Sequence, residues 1–170
     1  SADLTSNVKV HNYDTNTFTK FLVNDLDWKY KDNNFSSGIK GQLLGKLKNV
    51  NYETKNAKGY KTNTTNELFG ALGYLTEVDF YKKGNRGANH LLTPKILLRY
   101  APGHMREERR RTRLDRLNVF NLDRLNSYDN FESGLSTTLG FDYKVKKTDN
   151  EFNFSLGQVI NEKENRNMPS

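Results

Sequence analysis

Two runs of the chain, residues 131–146 and 151–161, alternate apolar and polar side chains so strictly that they leave room for little but a β-hairpin. In the first, Leu135, Thr137, Leu139, Phe141, Tyr143 and Val145 take one side, and Ser136, Thr138, Gly140, Asp142 and Lys144 the other. In the second, Phe152, Phe154, Leu156 and Ile160 oppose Asn153, Ser155, Gly157 and Asn161. Closing the pair through residues 147–150 predicts Val145 opposite Phe152, Tyr143 opposite Phe154, Phe141 opposite Leu156 and Thr137 opposite Ile160. Lys144, Asp142 and Gly140 then face Asn153, Ser155 and Gly157. A slip of one residue would mix the faces along the whole hairpin, which fixes the register. Each apolar face is about 9 residues long, the length with which a tilted strand crosses the hydrocarbon of a bilayer.

The pattern recurs upstream. Residues 3–13 read as a weak strand and 13–17 as a turn; beyond it Leu22, Leu26, Trp28 and Tyr30 share one face, and Val23, Asp25, Asp27 and Lys29 the other. Asn24 breaks the apolar side. A turn at 31–34 predicts Tyr30 opposite Phe35, Leu26 opposite Ile39, Leu22 opposite Leu43 and Asp25 opposite Lys40. Gly41 and Gly45 fall on the apolar side, where glycine permits the bends of a curved sheet. After a polar loop at 51–65, residues 67–82 read as one long strand and 91–101 as its return, with Tyr74 facing Leu98, Thr76 facing Ile96 and Glu77 facing Lys95. Pro94 lies inside the return strand and predicts either a missing ladder bond or a bulge.

Residues 102–130 break the alternation and form the longest connection. They hold the basic cluster 106–113, with Arg109, Arg110, Arg111 and Arg113, and a stretch at 114–125 expected to form a short helix or strand. Val119, Phe120 and Leu122 are poorly placed in open water, so 118–124 is expected to fold back into the interior. By strand parity, the long connections at 51–65 and 102–130 and the tail after residue 162 share one end, and the short ones at 31–34, 84–90 and 147–150 the other. Long loops on the outside and short turns on the periplasmic side are the pattern of outer-membrane barrels.

Hydrophobic residues make up only 34% of the chain, which in a soluble protein would leave little apolar surface to offset chain entropy. Nine Tyr, ten Phe and one Trp, many near the ends of alternating runs, fit instead a barrel with a polar lumen and aromatic girdles. The expected fold is therefore all-β, an antiparallel up-and-down meander of about seven strands, part of a transmembrane outer-membrane β-barrel. Residues 1–170 are expected to be an interior piece of that single barrel domain, truncated at both ends. Its polar wall would carry mixed charge from Asp25, Lys40, Lys46, Glu77, Lys95, Arg99, Asp142 and Lys144.

The net charge of +7 has no nucleic-acid-binding motif beside it, and a basic lumen and loop set accounts for it better than a soluble basic sheet that binds nucleic acid. No cysteine is present, and His11, His90 and His104 are far apart without ligand spacing, so no metal is expected. Phosphate-cradling and nucleophile motifs are absent as well. Glu77 and Asp79, two apart on one face, read as a charged wall balanced by Lys95 and Arg99 rather than an acid/base pair, so no catalytic residue or cofactor is expected.

Four stretches carry a resemblance to a known family: Leu92-Thr-Pro-Lys-Ile-Leu-Leu-Arg-Tyr-Ala-Pro-Gly103, Asn118-Val-Phe-Asn-Leu-Asp-Arg124, Glu132-Ser-Gly-Leu-Ser-Thr-Thr-Leu-Gly-Phe-Asp-Tyr143 and Phe154-Ser-Leu-Gly-Gln-Val159. In this order and spacing they resemble the barrel domain of the lipopolysaccharide-assembly family LptD, in its alphaproteobacterial forms, and 70–80 resembles the strand that precedes them. Upstream of about residue 66 the likeness fades to generic barrel patterning, and the cluster 106–113 has no counterpart. The resemblance implies a mid-barrel segment of the translocon that inserts lipopolysaccharide into the outer leaflet, with no bond broken. It implies as partners lipopolysaccharide, a lipoprotein plug of the LptE type, and periplasmic bridge components reached through a domain outside this chain. Apart from the resemblance, Arg109, Arg110, Arg111 and Arg113 read either as a solvated loop or as a contact with lipopolysaccharide phosphates, to which Arg can donate two hydrogen bonds at once. An unrelated porin-like channel is the alternative that shares the strand pattern.

Overall fold

The computed structural model describes residues 1–13, 16–32, 38–84, 87–108, 114–147, 150–165 and 167. Eight strands form a single antiparallel sheet: β1 (Ala2–Tyr13), β2 (Thr17–Asp32), β3 (Ile39–Lys55), β4 (Thr65–Val78), β5 (Phe80–Lys83), β6 (Asn89–Ala101), β7 (Gly134–Lys146) and β8 (Glu151–Asn161). The order is β1-β2-β3-β4-β6-β7-β8, with β5 paired to β6 as a continuation of β4, so the eight strands occupy seven lanes of an open meander. β2 and β3, at 16 and 17 residues, are longer than the roughly 9–11 residues a tilted strand needs to cross a bilayer.

The β7–β8 hairpin has the expected register throughout, from Val145 opposite Phe152 to Thr137 opposite Ile160, with Gly140 opposite Gly157. The β4–β6 pairing matches as well: Tyr74 faces Leu98, Thr76 faces Ile96 and Glu77 faces Lys95. The strand expected at 67–82 is interrupted at Asp79, and Phe80 resumes opposite Leu92 in unchanged register. The unpaired step, Val78 and Asp79, lies across from Pro94 and Thr93, and the proline nitrogen has no hydrogen to give, so a ladder bond is lost and no residue is inserted.

Two expectations fail here. β2 and β3 pair with Leu26 opposite Leu47, Tyr30 opposite Leu43 and Asp25 opposite Lys48 rather than Lys40. The slip is by an even number of residues, so every side chain keeps its expected face while its partner changes. The polar loop expected at 51–65 begins later, because β3 runs on to Lys55 and turns Tyr52 and Thr54 inward.

The two faces differ in kind. Along Ile96, Leu97, Leu98, Arg99, Tyr100 and Ala101, residue exposure runs 50%, 0%, 51%, 1%, 54% and 2%: the arginine is buried while leucine and tyrosine on either side lie open. The open face carries Leu4, Leu22, Leu43, Leu47, Leu72, Leu98, Leu139, Phe154 and Ile160. Across β1 to β4 it ends in a band of hydrogen-bonded amides, with Ser6 donating to Asn24 (2.8 Å), Asn51 to Asn49 (2.6 Å) and Asn49 to Asn66 (3.2 Å). Asn24, which breaks the apolar run in the sequence, belongs to that band.

The other face is covered by the long connection between β6 and β7. No helix or strand forms at 114–125, contrary to expectation; this stretch is a series of turns that lies on the sheet as a strap. The core sits between strap and sheet, where Leu122 and Phe131 pack with Val23, Val50, Phe69, Ala71 and Leu97.

Candidate functional site

The strap is seated on glycines. A Cβ at Gly73 would lie 2.5 Å from Leu122, one at Gly140 would lie 2.9 Å from Phe120, and one at Gly157 would lie 3.1 Å from Val119. Gly140 and Gly157 are cross-strand neighbours, so they leave a flat place in the sheet that any side chain would fill. The strap enters β7 through Gly134, whose φ of 113° suits glycine alone.

Polar bonds then fasten it. Arg124, 1% exposed, makes a two-pronged ion pair with Glu132 (2.7 and 2.5 Å) and donates to Ser136 (3.0 Å) on β7. Arg99 on β6 donates to the carbonyls of Leu122 (2.7 Å) and Glu132. Lys48 on β3 pairs with Asp123 (2.7 Å) and donates to the Ser127 carbonyl. Buried cations of this kind persist only where carboxylates and carbonyls replace their water.

At the end of the sheet with the long connections, aromatic rings close the assembly. Phe21 meets Tyr60 and Tyr128 edge-on at 5.3 and 5.2 Å, and Arg106 stacks over Tyr52 and Tyr60 at 5.2 Å from each ring. Arg106 also pairs with Glu67 on β4 and donates to the Asp129 carbonyl. Tyr60 donates to the Asp129 carboxylate; burial first, then that bond, holds its phenol well above the ordinary tyrosine range. The strap is thus joined at both ends to strands far from it in sequence.

All eight residues expected on the polar wall lie on the strap side of the sheet, but in separate groups. Asp25 and Lys46 join Asp27, Lys48 and Asp123; Lys46 bonds Asp27 at 2.7 Å. Lys40 pairs with Asp79 (2.5 Å), which also accepts from Thr93 (2.7 Å). Lys95 lies between Asp142 (2.5 Å) and Glu77 (4.0 Å), and Lys144 pairs with Glu151 (2.9 Å). Arg99 departs from the sequence reading: it holds the strap and balances neither Glu77 nor Asp79. Arg109, Arg110, Arg111 and Arg113 lie outside the described residues.

Beside the strap a recess of about 450 Å³ remains open over β4, β6, β7 and β8, lined by Glu77, Asp79, Thr93, Lys95, Arg116, Asp142, Lys144, Asn153 and Ser155 among others. The sequence marked five of these residues. It did not mark Arg124, Glu132 or Lys48, because a lone charge in an irregular stretch or among other lysines reads as solvated; the glycines opposite one another were the available signal of a close approach.

A family model described as LPS transport system D, LptD, matches residues 45–170. The chain belongs to the LptD family. No curated protein matches it. The match takes in β4 to β8 and most of β3, further upstream than the likeness legible by eye, and it includes the strap and every residue that fastens it except those on β2. LptD proteins act in the transport and assembly of lipopolysaccharide at the outer membrane, and that role replaces both the porin-like and the nucleic-acid readings. An LptD sheet with an exposed apolar face and a buried polar one has the layout of a membrane-barrel wall.

Proposed function

We propose that this sheet is a wall segment of the outer-membrane barrel through which lipopolysaccharide reaches the outer leaflet. Its open apolar face meets lipid, and its strap-covered face looks onto the lumen. Asp25, Lys40, Lys46, Glu77, Lys95, Arg99, Asp142 and Lys144 belong to that inner wall. The saccharide passes the recess beside the strap, where paired charges of both signs offer hydrogen bonds. A lipoprotein plug of the LptE type shares the interior with the strap, and periplasmic bridge components deliver the lipid from the short-turn side.

The observation that carries the reading is the exposure pattern at 96–101, where Leu98 and Tyr100 are open and Arg99 between them is sealed. In water the open Ile96, Leu98 and Tyr100 would leave apolar surface solvated at every second residue; against lipid that exposure carries no such cost. The test is arginine at Leu139 in the full-length protein, compared with arginine at Asn153, which lies on the neighbouring strand and the opposite face. Leu139→Arg, in the middle of the apolar face, should cost about 2–4 kcal/mol and should impair barrel assembly, read as the heat-modifiable band on a gel. Asn153→Arg should assemble normally. Equal tolerance of the two would refute a lipid-facing wall.

A further inference from the structure

We propose that the wall carries a binding site for the phosphate of an anionic glycerophospholipid, on the lipid-facing side at the short-turn end of β5, β6 and β7. The proposal rests on the reading that this face meets lipid. Here an open groove of about 560 Å³ is lined by Phe80, Leu92 and Tyr143 on its apolar flank and by Lys82 and His90 at its end. Phe80 is 56% exposed and Leu92 37%, although they are cross-strand partners, so the groove lies on the outer face and not beneath the sheet.

The pairing rows place the chemistry in order. Phe80, Leu92, Tyr143 and Phe154 form one outward row, and Lys82, His90, Val145 and Phe152 the next row toward the turns. Neither row contains a carboxylate, whereas each of the neighbouring inward residues Lys144 and Asp79 is ion-paired. Lys82 therefore faces out with no carboxylate in its row, at the rim of an apolar surface, where lipid headgroups lie. His90 Nδ1 is 2.7 Å from the Tyr143 hydroxyl, and the two rings stack. With the imidazole donating, the phenol keeps its own proton to give to a phosphate oxygen 
beside the Lys82 ammonium. Gly84 makes room for this, since a Cβ there would come within 2.5 Å of His90 Nε2. Acyl chains then run from the headgroup along Leu92, Phe141 and Ile96, the outward residues toward mid-wall.

The full-length protein in a mild detergent, mixed with dioleoylphosphatidylglycerol and observed by native mass spectrometry, tests the site. Dioleoylglycerol, with the same chains and no phosphate, is the comparison lipid. The wild type should retain the phospholipid and not the diacylglycerol. Lys82→Gln with Tyr143→Phe removes two charge-assisted bonds and should reduce retention about a hundredfold, roughly tenfold for each. Lys29→Gln, at the same end on the opposite face, should leave retention unchanged. Retention of both lipids alike, no effect of the double variant, or an equal effect of Lys29→Gln would each overturn the proposal. None of these outcomes alters the result at Leu139, so the site and the wall fail separately.

Discussion

Arg124 and Glu132 show most directly what the interior of this sheet requires. Both side chains are almost completely buried, at 1% and 2% exposure, and their geometry is bidentate. Such a pair contributes little against an apolar alternative of equal volume, because the desolvation of two charges offsets their attraction. Removing one partner is another matter. Glu132→Ala leaves a buried guanidinium facing Ser136 and Thr138 alone, and should cost about 3–5 kcal/mol. The double change Arg124→Met with Glu132→Ala should recover most of that loss. Both are read from the denaturant midpoint of the full-length barrel, and a double variant no better than Glu132→Ala would mean that the pair is not what holds the strap. Neither residue stands out in the sequence, because nothing in the pattern around 124 or 132 distinguishes a buried charge from a solvated one.

At the scale of strands, legibility followed the turn. β7 and β8 are joined by a short connection and have strict alternation, so one register satisfied both. β2 and β3 have alternation as good, yet alternation is unchanged by any even slip, and the residues between them offered more than one place to turn. The faces of Asp25 and Lys46 were therefore read correctly, and the partner of Asp25 was not. The strap was half legible: the apolar trio Val119, Phe120 and Leu122 announced that it must be covered, but the seats that cover it are glycines, which carry no signal of what they face. Gly73 tests the seat. Gly73→Ala should push Leu122 off the sheet at a cost of about 1–3 kcal/mol, and should cost much less in a Leu122→Ala background, where the methyl group has somewhere to go. Equal costs in the two backgrounds would place the strain in the backbone of β4 and β6 instead.

For the whole molecule the open question of function is which end of the sheet faces out of the cell. Chain parity puts the connections at 56–64 and 102–133 at one end and those at 84–88 and 147–150 at the other. The contacts agree: Tyr60 reaches Asp129, Arg106 reaches Glu67, and Asn56 donates to the Asn16 carbonyl at 3.1 Å, so the long connections and the β1–β2 turn form one cap. A cap of interlocked loops suits the outer surface, where long connections face an aqueous medium and bar the lumen, while the phospholipid groove proposed at the opposite end belongs to the inner leaflet. These 170 residues contain no cysteine, so a thiol placed at either end of the sheet reports on that end. Thr62→Cys and Asn150→Cys both stand at exposed positions in connections, one at each end. On intact cells an impermeant maleimide should label Thr62→Cys and spare Asn150→Cys, and after the outer membrane is opened both should react. Labelling of Asn150→Cys alone would turn the sheet over, putting the groove in the outer leaflet and the aromatic cap in the periplasm.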